Sequence, residues 1–230
     1  MLKRLKIWMA ILSLLTLLIV CKIQLIVAGL QFLFYTIITL FSDPHEVLVL
    51  LDFQTVDLLI SVVLIFILPI LLFYLRNKFR FFNNKLSLLS LCIIIILTTF
   101  IFAPIITDYH PNYQGSLKVT RFLMPFQSVN RIHLKKISNL NEKEKIREIR
   151  KDIVKSAVSD QEIYFDSLTV QDDSLIIFQS GVGSVIQKDK FLYSEGEPKV
   201  DLKTFFFGTD ELGRDIFSRI VYGSRISIII

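Results

Sequence analysis

Two long apolar runs decide what this chain can fold into. Asp57–Leu75 (DLLISVVLIFILPILLFYL) and Leu86–Ile106 (LSLLSLCIIIILTTFIFAPII) each hold about the 20 residues needed to cross a hydrocarbon core. In lipid a backbone must satisfy its own polar groups, so both runs are predicted as helices despite the β-branched residues that would favour strand in water. Pro69 is compatible with such a helix and marks a place for a kink. The loop between them, RNKFRFFNNK over residues 76–85, has four basic and no acidic residues, which assigns it to the cytoplasm by the positive-inside rule.

Apolar residues make up 53% of the chain, with 20 phenylalanines, and they concentrate before Thr107, so the excess belongs to membrane spans rather than to an oversized soluble core. The net charge of +5 points to topology and not to nucleic acid, because Lys3, Arg4, Lys6 and the bases of 76–85 flank apolar runs. Cys21 and Cys92 are the two cysteines; they lie in apolar runs without CxxC spacing and read as small residues packed in spans, not as a disulfide or zinc framework.

Residues 7–41 are longer than one crossing requires: 35 residues of helix extend about 52 Å, and Lys22, Gln24 and Gln31 interrupt them. Two short spans are one reading, and one span with an interfacial or tilted extension is the other. The basic start MLKRLK and an external 42–56 require an odd number of crossings, which selects one span. A cleaved signal peptide ending near Val27-Ala28-Gly29 is disfavoured, since apolar character runs on to Phe41.

After Thr107 the composition becomes mixed. Asn141 and Glu144 have capping-box spacing, and Ile146, Ile149, Ile153, Val154 and Ala157 recur at helical spacing, predicting an amphipathic helix of four to five turns with a solvated charged face. Glu162–Asp166 and Ser174–Phe178 read as strands, with a turn at 171–173. Gly181-Val182-Gly183-Ser184 lacks the rest of a phosphate-binding pattern and reads as a tight turn. His45, His110 and His133 are scattered, without HExxH, GxSxG or a ligand cluster, so no catalytic, cofactor or metal site is assigned and the chain is expected not to be an enzyme.

The segment FGTDELGRDIFSRIVYGSR, residues 207–225, has Thr209 placed to cap a helix with Asp210 and Glu211 in its first turn. Ile216, Phe217, Ile220 and Val221 then form an apolar stripe beside Arg214, Arg219 and Arg225, an amphipathic helix for the membrane interface that leads into a further span. Gly208, Thr209, Asp210, Glu211, Leu212, Gly213, Arg214 and Asp215, followed by Ser218, Arg219, Tyr222, Gly223 and Arg225, resemble the signature of the second, C-type permease subunit of dipeptide, oligopeptide and nickel ABC importers. Phe102-Ala103-Pro104-Ile105-Ile106 with Asp108-Tyr109-His110-Pro111-Asn112 resembles the exit of that family's first core helix.

The apolar runs and patterning together with the resemblance predict a helical membrane protein with about three transmembrane helices, a small α+β extracytoplasmic insert and an interfacial helix entering a fourth span. Residues 1–85 are extra membrane region (a span within 7–41, a span at 57–75, the cytoplasmic loop 76–85), 86–125 the first core helix and its exit, 126–203 the insert, and 204–230 the signature helix. The resemblance further implies a second permease subunit, cytoplasmic ABC ATPase subunits, an extracytoplasmic solute-binding protein and the lipid bilayer as partners, with no nucleic acid. The location implied is the bacterial cytoplasmic membrane, with the N-terminus inside and 107–207 outside. The roughly ninety residues between the FAP and GTDELGRD segments exceed the family's usual few tens, and its later helices and coupling loop are expected beyond Ile230. A fragment of a longer permease is therefore expected. The alternatives are a non-functional truncation and a membrane-anchored sensor or assembly protein.

Overall fold

A computed structural model describes residues 6–229 except 80, 81, 83, 135–141, 155–161, 172–173 and 195–196. The helices are α1 (Ile7–Cys21), α2 (Ile23–Ser42), α3 (Pro44–Leu50), α4 (Phe53–Lys78), α5 (Leu88–Ile106), the single turn α6 (Leu117–Thr120), α7 (Glu142–Ile153) and α8 (Ile216–Ile229). The strands are β1 (Gln127–His133), β2 (Glu162–Phe165), β3 (Ser167–Val170), β4 (Ser174–Gln179), β5 (Val182–Gln187), β6 (Tyr193–Ser194), β7 (Glu197–Pro198) and β8 (Val200–Phe205). The chain divides into two units, one of residues 1–108, 143–154 and 221–230 and the other of 109–142 and 155–220.

The first unit is a helical bundle. α2, α4 and α5 are long and apolar enough to cross a membrane, and their outward faces carry side chains such as Phe34, Phe66, Ile70, Phe73 and Ile96 in the open. Only about a quarter of each span is covered by protein (28%), so the rest requires an apolar solvent, which is lipid. Cys21 and Cys92 also lie on exposed faces. This corrects the expectation that both are packed inside: a helix with lipid around it has no polar side on which small apolar residues must be hidden.

α4 and α5 form an antiparallel hairpin. The Ser61 hydroxyl, one turn into the predicted span, donates to the Ile101 carbonyl at 2.8 Å. α4 runs unbroken through Pro69, and the kink falls instead in α5 at Phe102 (φ −104°, ψ 20°), two residues before Pro104. Pro104 has no N–H to give to the carbonyl four residues earlier, so Phe100 O is freed. Ser87 caps α5 in a reciprocal pair with Ser90.

Lys22 separates α1 from α2, where the sequence already carries its charge. The Ile7 N–H donates to Asn84 O at 3.2 Å, and Lys22 pairs with Asp108. α1 therefore runs the length of α5, although 15 residues give only about 22 Å. α2 packs Gly29 against Val62 of α4, where a Cβ would stand 2.9 Å from a valine methyl. Asp43 caps α3 and Asp52 caps α4, so the short α3 joins the end of α2 to the start of α4.

α7 belongs to this unit. Ile146 and Ile153 join the bundle core with Leu50, Leu58 and Phe102, as their helical spacing predicts. Its charged face is only partly solvated: Arg147 Nη2 reaches Glu46 at 2.6 Å, and Arg150 pairs with Asp52. Asn141 and Ala157 lie outside the described residues.

The second unit holds two three-stranded sheets, ordered β2-β1-β8 and β3-β4-β5, and the two-stranded ribbon β6-β7. All pairs are antiparallel. β2 and β4 coincide with the two predicted strands. The turn read at Gly181 is a two-residue hairpin: Ser180 (φ 49°) and Gly181 (φ 79°) both take left-handed backbone, the geometry that matches strand twist, and Gly183 already lies inside β5. One buried cluster gathers Tyr109, Tyr113, Val129, Tyr164 and Phe205, and another gathers Ile132, Phe165, Leu175, Ile177 and Phe191.

Candidate functional site

The 208–218 stretch is a loop of tight turns held on residues 120–123, and its first helix turn begins later than the sequence suggests. Thr209 does not cap α8. Its buried hydroxyl donates to Thr120 O and accepts the Leu123 N–H at 2.9 Å, contacts 89 and 86 residues away that no local pattern reveals. The cap is Asp215, whose carboxylate accepts Ser218 N–H at 3.2 Å and the Ser218 hydroxyl at 2.6 Å. Ser218 is fully buried, consistent with its place in this closed ring of bonds.

Asp210 organises the loop rather than a helix turn. Its carboxylate accepts the N–H groups of Leu212 and Arg214 at 2.9 Å each, Arg214 Nε at 2.8 Å and Arg219 Nη1 at 2.6 Å. Burial pushes that carboxyl up, but the Arg214 bonds outweigh it and the net shift is downward. Glu211 stays exposed. Gly208 (φ 73°) and Gly213 (φ 68°) turn the chain where a Cβ would stand 2.1 Å from Leu123 O and 2.5 Å from Thr120 Oγ1, so both positions demand glycine.

Tyr222, Gly223 and Arg225 sit further along α8, among the bundle helices. Arg225 Nη1 binds Asp57 at 2.5 Å, and its Nε donates to Phe100 O at 2.7 Å. That carbonyl is the one Pro104 leaves without its helical donor. The guanidinium lies 5.1 Å from the centre of the Tyr222 ring, a cation–π distance. One arginine thus closes a backbone defect in α5 and neutralises the acid at the head of α4. Nothing lies within 4 Å of a Cβ at Gly223.

A third cluster lies in the sheet β2-β1-β8 and was not singled out from the sequence. Arg131 grips Asp201 with two bonds, Nε to Oδ1 at 2.9 Å and Nη2 to Oδ2 at 2.6 Å. Its Nη1 reaches Glu162 at 3.2 Å and Tyr109 Oη at 3.1 Å. The Tyr109 and Tyr164 hydroxyls meet at 2.6 Å, and His133 Nε2 lies 3.2 Å from Asp201. Register explains the gathering: β1 pairs Arg131 with Tyr164 on one side and with Asp201 on the other. Burial raises the Tyr109 and Tyr164 hydroxyls far out of the physiological range, so both remain protonated donors.

Burial alone would raise the Asp201 carboxyl, but the Arg131 and His133 bonds hold it at about 2, below its ordinary 3.8. A depressed carboxyl contributes stability above its unfolded value that is lost as pH falls through the folded value. Amide protection in the sheet is therefore expected to drop between pH 3.8 and about 2, read by hydrogen exchange. Asp201→Asn is expected to flatten that pH dependence while lowering protection at neutral pH.

Among the described residues no three His, Cys, Asp or Glu side chains gather in a way that would hold a metal ion. These sites hold chain segments together. Residues 75–125 match the family model described as the N-terminal TM domain of oligopeptide transport permease C. That segment is similar to the N-terminal membrane domain of permeases of the C type. No curated protein and no solved structure matches the chain. The permease match contains α5 with its Pro104 defect and the 120–123 loop, the two places that receive Arg225 and Thr209. Its end at residue 125 coincides with the start of the sheet-bearing stretch.

Proposed function

We propose that the chain carries the N-terminal membrane portion of a permease subunit of an ABC importer for peptides or related small solutes. The observation that carries this reading is the meeting of the matched segment with the 208–225 signature: Thr209 binds Thr120 and Leu123, and Arg225 binds Phe100. Interactions spread over more than a hundred residues link the two parts of one family pattern, one of them across the inserted sheets. The membrane is the bacterial cytoplasmic membrane, with residues 76–85 inside and the insert outside. A second permease subunit completes the pathway, a solute-binding protein delivers the solute to the outer face, and cytoplasmic ATPase subunits supply the energy. The chain itself catalyses no reaction.

Uptake tests this reading. A strain lacking the gene is expected to lose energy-dependent accumulation of a radiolabelled oligopeptide mixture and to regain it on return of the gene. Unchanged uptake in the deletion strain, across peptides and nickel, contradicts the proposal.

A further inference from the structure

We propose that Phe122, Met124, Phe126, Phe206 and Phe207 form a patch that seats the second unit in the interfacial layer of the bilayer. These side chains are 63%, 74%, 74%, 57% and 51% exposed, far more apolar surface than two short loops leave in water without a use. They stand on two chain segments that meet: the Phe126 and Phe206 rings lie edge to face at 6.3 Å, and Phe207 stacks on Phe217 at 5.9 Å.

The rings are held outward by the fold. Phe122 (φ 53°) and Phe126 (φ 62°) both take left-handed backbone, a conformation that bulky L-residues avoid and that persists only where the surroundings enforce it. Here the Phe122 N–H donates to Asp210 O at 3.2 Å and the Phe126 N–H to Phe205 O at 2.9 Å. The Met124 N–H donates to Gln127 Oε1 at 2.9 Å. The signature loop thus fixes the strained loop, and the strained loop presents the apolar surface.

Lipid is the occupant that the chain favours. The patch lies between two apolar helices in sequence, α5 ending at Ile106 and α8 beginning at Ile216, and Phe217 under Phe207 is in the first turn of α8. Residues 117–127, LKVTRFLMPFQ, hold two basic and no acidic residues. Arg121 lies 5.1 Å from the Phe122 ring centre, placing a cation beside the apolar surface, as for a side chain whose stem lies in the interface and whose charge reaches the headgroups. The inference needs the chain to lie in a membrane and is independent of its being a transporter.

Trp8 is the chain's one tryptophan, so a Trp8→Phe background carrying Met124→Trp, Phe126→Trp or Val185→Trp reports one position at a time. Val185 is exposed on β5, which belongs to the other three-stranded sheet from the β1 and β8 strands that flank the patch. Each full-length variant is reconstituted into phosphatidylcholine and phosphatidylglycerol vesicles with acyl chains brominated near the headgroup. Emission from positions 124 and 126 is expected to fall to about half and to resist iodide, as for side chains buried in the interface, while position 185 shows the opposite. Iodide quenching at 124 and 126 equal to that at 185, without response to brominated lipid, overturns the proposal and assigns the surface to water or to a protein partner. Met124 carries no left-handed backbone, so position 124 decides the matter if the Phe126 variant fails to fold.

Discussion

Gly208→Ala is expected to prevent the second unit from closing. The left-handed backbone alone costs a non-glycine residue about 1–2 kcal/mol, and the added carbon would stand 2.1 Å from Leu123 O. A backbone atom cannot swing aside as a side chain does, so the 123–124 turn itself must move, and the Thr209 bonds to Thr120 and Leu123 go with it. The total is about 3 kcal/mol or more, a large share of the stability of a domain this size. Gly223→Ala is the control within the same signature. It has ordinary helical backbone and open space around it, so its effect should stay within about 1 kcal/mol. Thermal unfolding of both variants in detergent separates the two roles.

Arg225→Leu is expected to cost about 3–5 kcal/mol, the range for removing one partner of a buried ion pair. The side chains of Arg225 and Asp57 are only 17% and 21% exposed. The leucine variant leaves the Asp57 carboxylate unpaired and takes the Nε donor from Phe100 O, which Pro104 has already deprived of its helical bond. Arg225→Lys keeps the charge but cannot serve Asp57 and the carbonyl with one rigid fork, so it should fall between the two. Adding Asp57→Asn to Arg225→Leu should recover part of the loss, because the unpaired charge is then gone. A double variant that unfolds as readily as Arg225→Leu alone would show that the pair contributes little and that the carbonyl bonds carry the effect.

These two sites also mark how far the sequence can be read. The spans were legible because uninterrupted apolar runs of this length have one solution in lipid, and Lys22 marked the helix break by its charge. The sequence placed the kink at Pro69, whereas Pro104 is the proline that frees a carbonyl, at Phe100. Its partner Arg225, more than a hundred residues on, could not be inferred from any local period. Thr209 followed by Asp210 and Glu211 imitates a helix start, yet the left-handed glycines at 208 and 213 fold the stretch into a loop, and the cap passes to Asp215. β1 (QSVNRIH) lacks clean alternation, and β8 (VDLKTF) alternates with its apolar Val200 and Leu202 on the exposed side, so the Arg131–Asp201 pairing that depends on their register stayed hidden. The amphipathic spacing of α7 was legible, but its docking partners Glu46 and Asp52 belong to a distant segment.

Sidedness tests the account most directly, because the hairpin of α4 and α5, the docking of α7 by Glu46 and Asp52, and delivery of solute by a binding protein all require residues 76–85 and the insert to lie on opposite sides of one membrane. Paired fusions of alkaline phosphatase and green fluorescent protein after Asn83 and after Ser159 read it in living cells. The account predicts fluorescence without phosphatase activity after Asn83, and phosphatase activity without fluorescence after Ser159. The reverse pattern, or the same side at both positions, would contradict it.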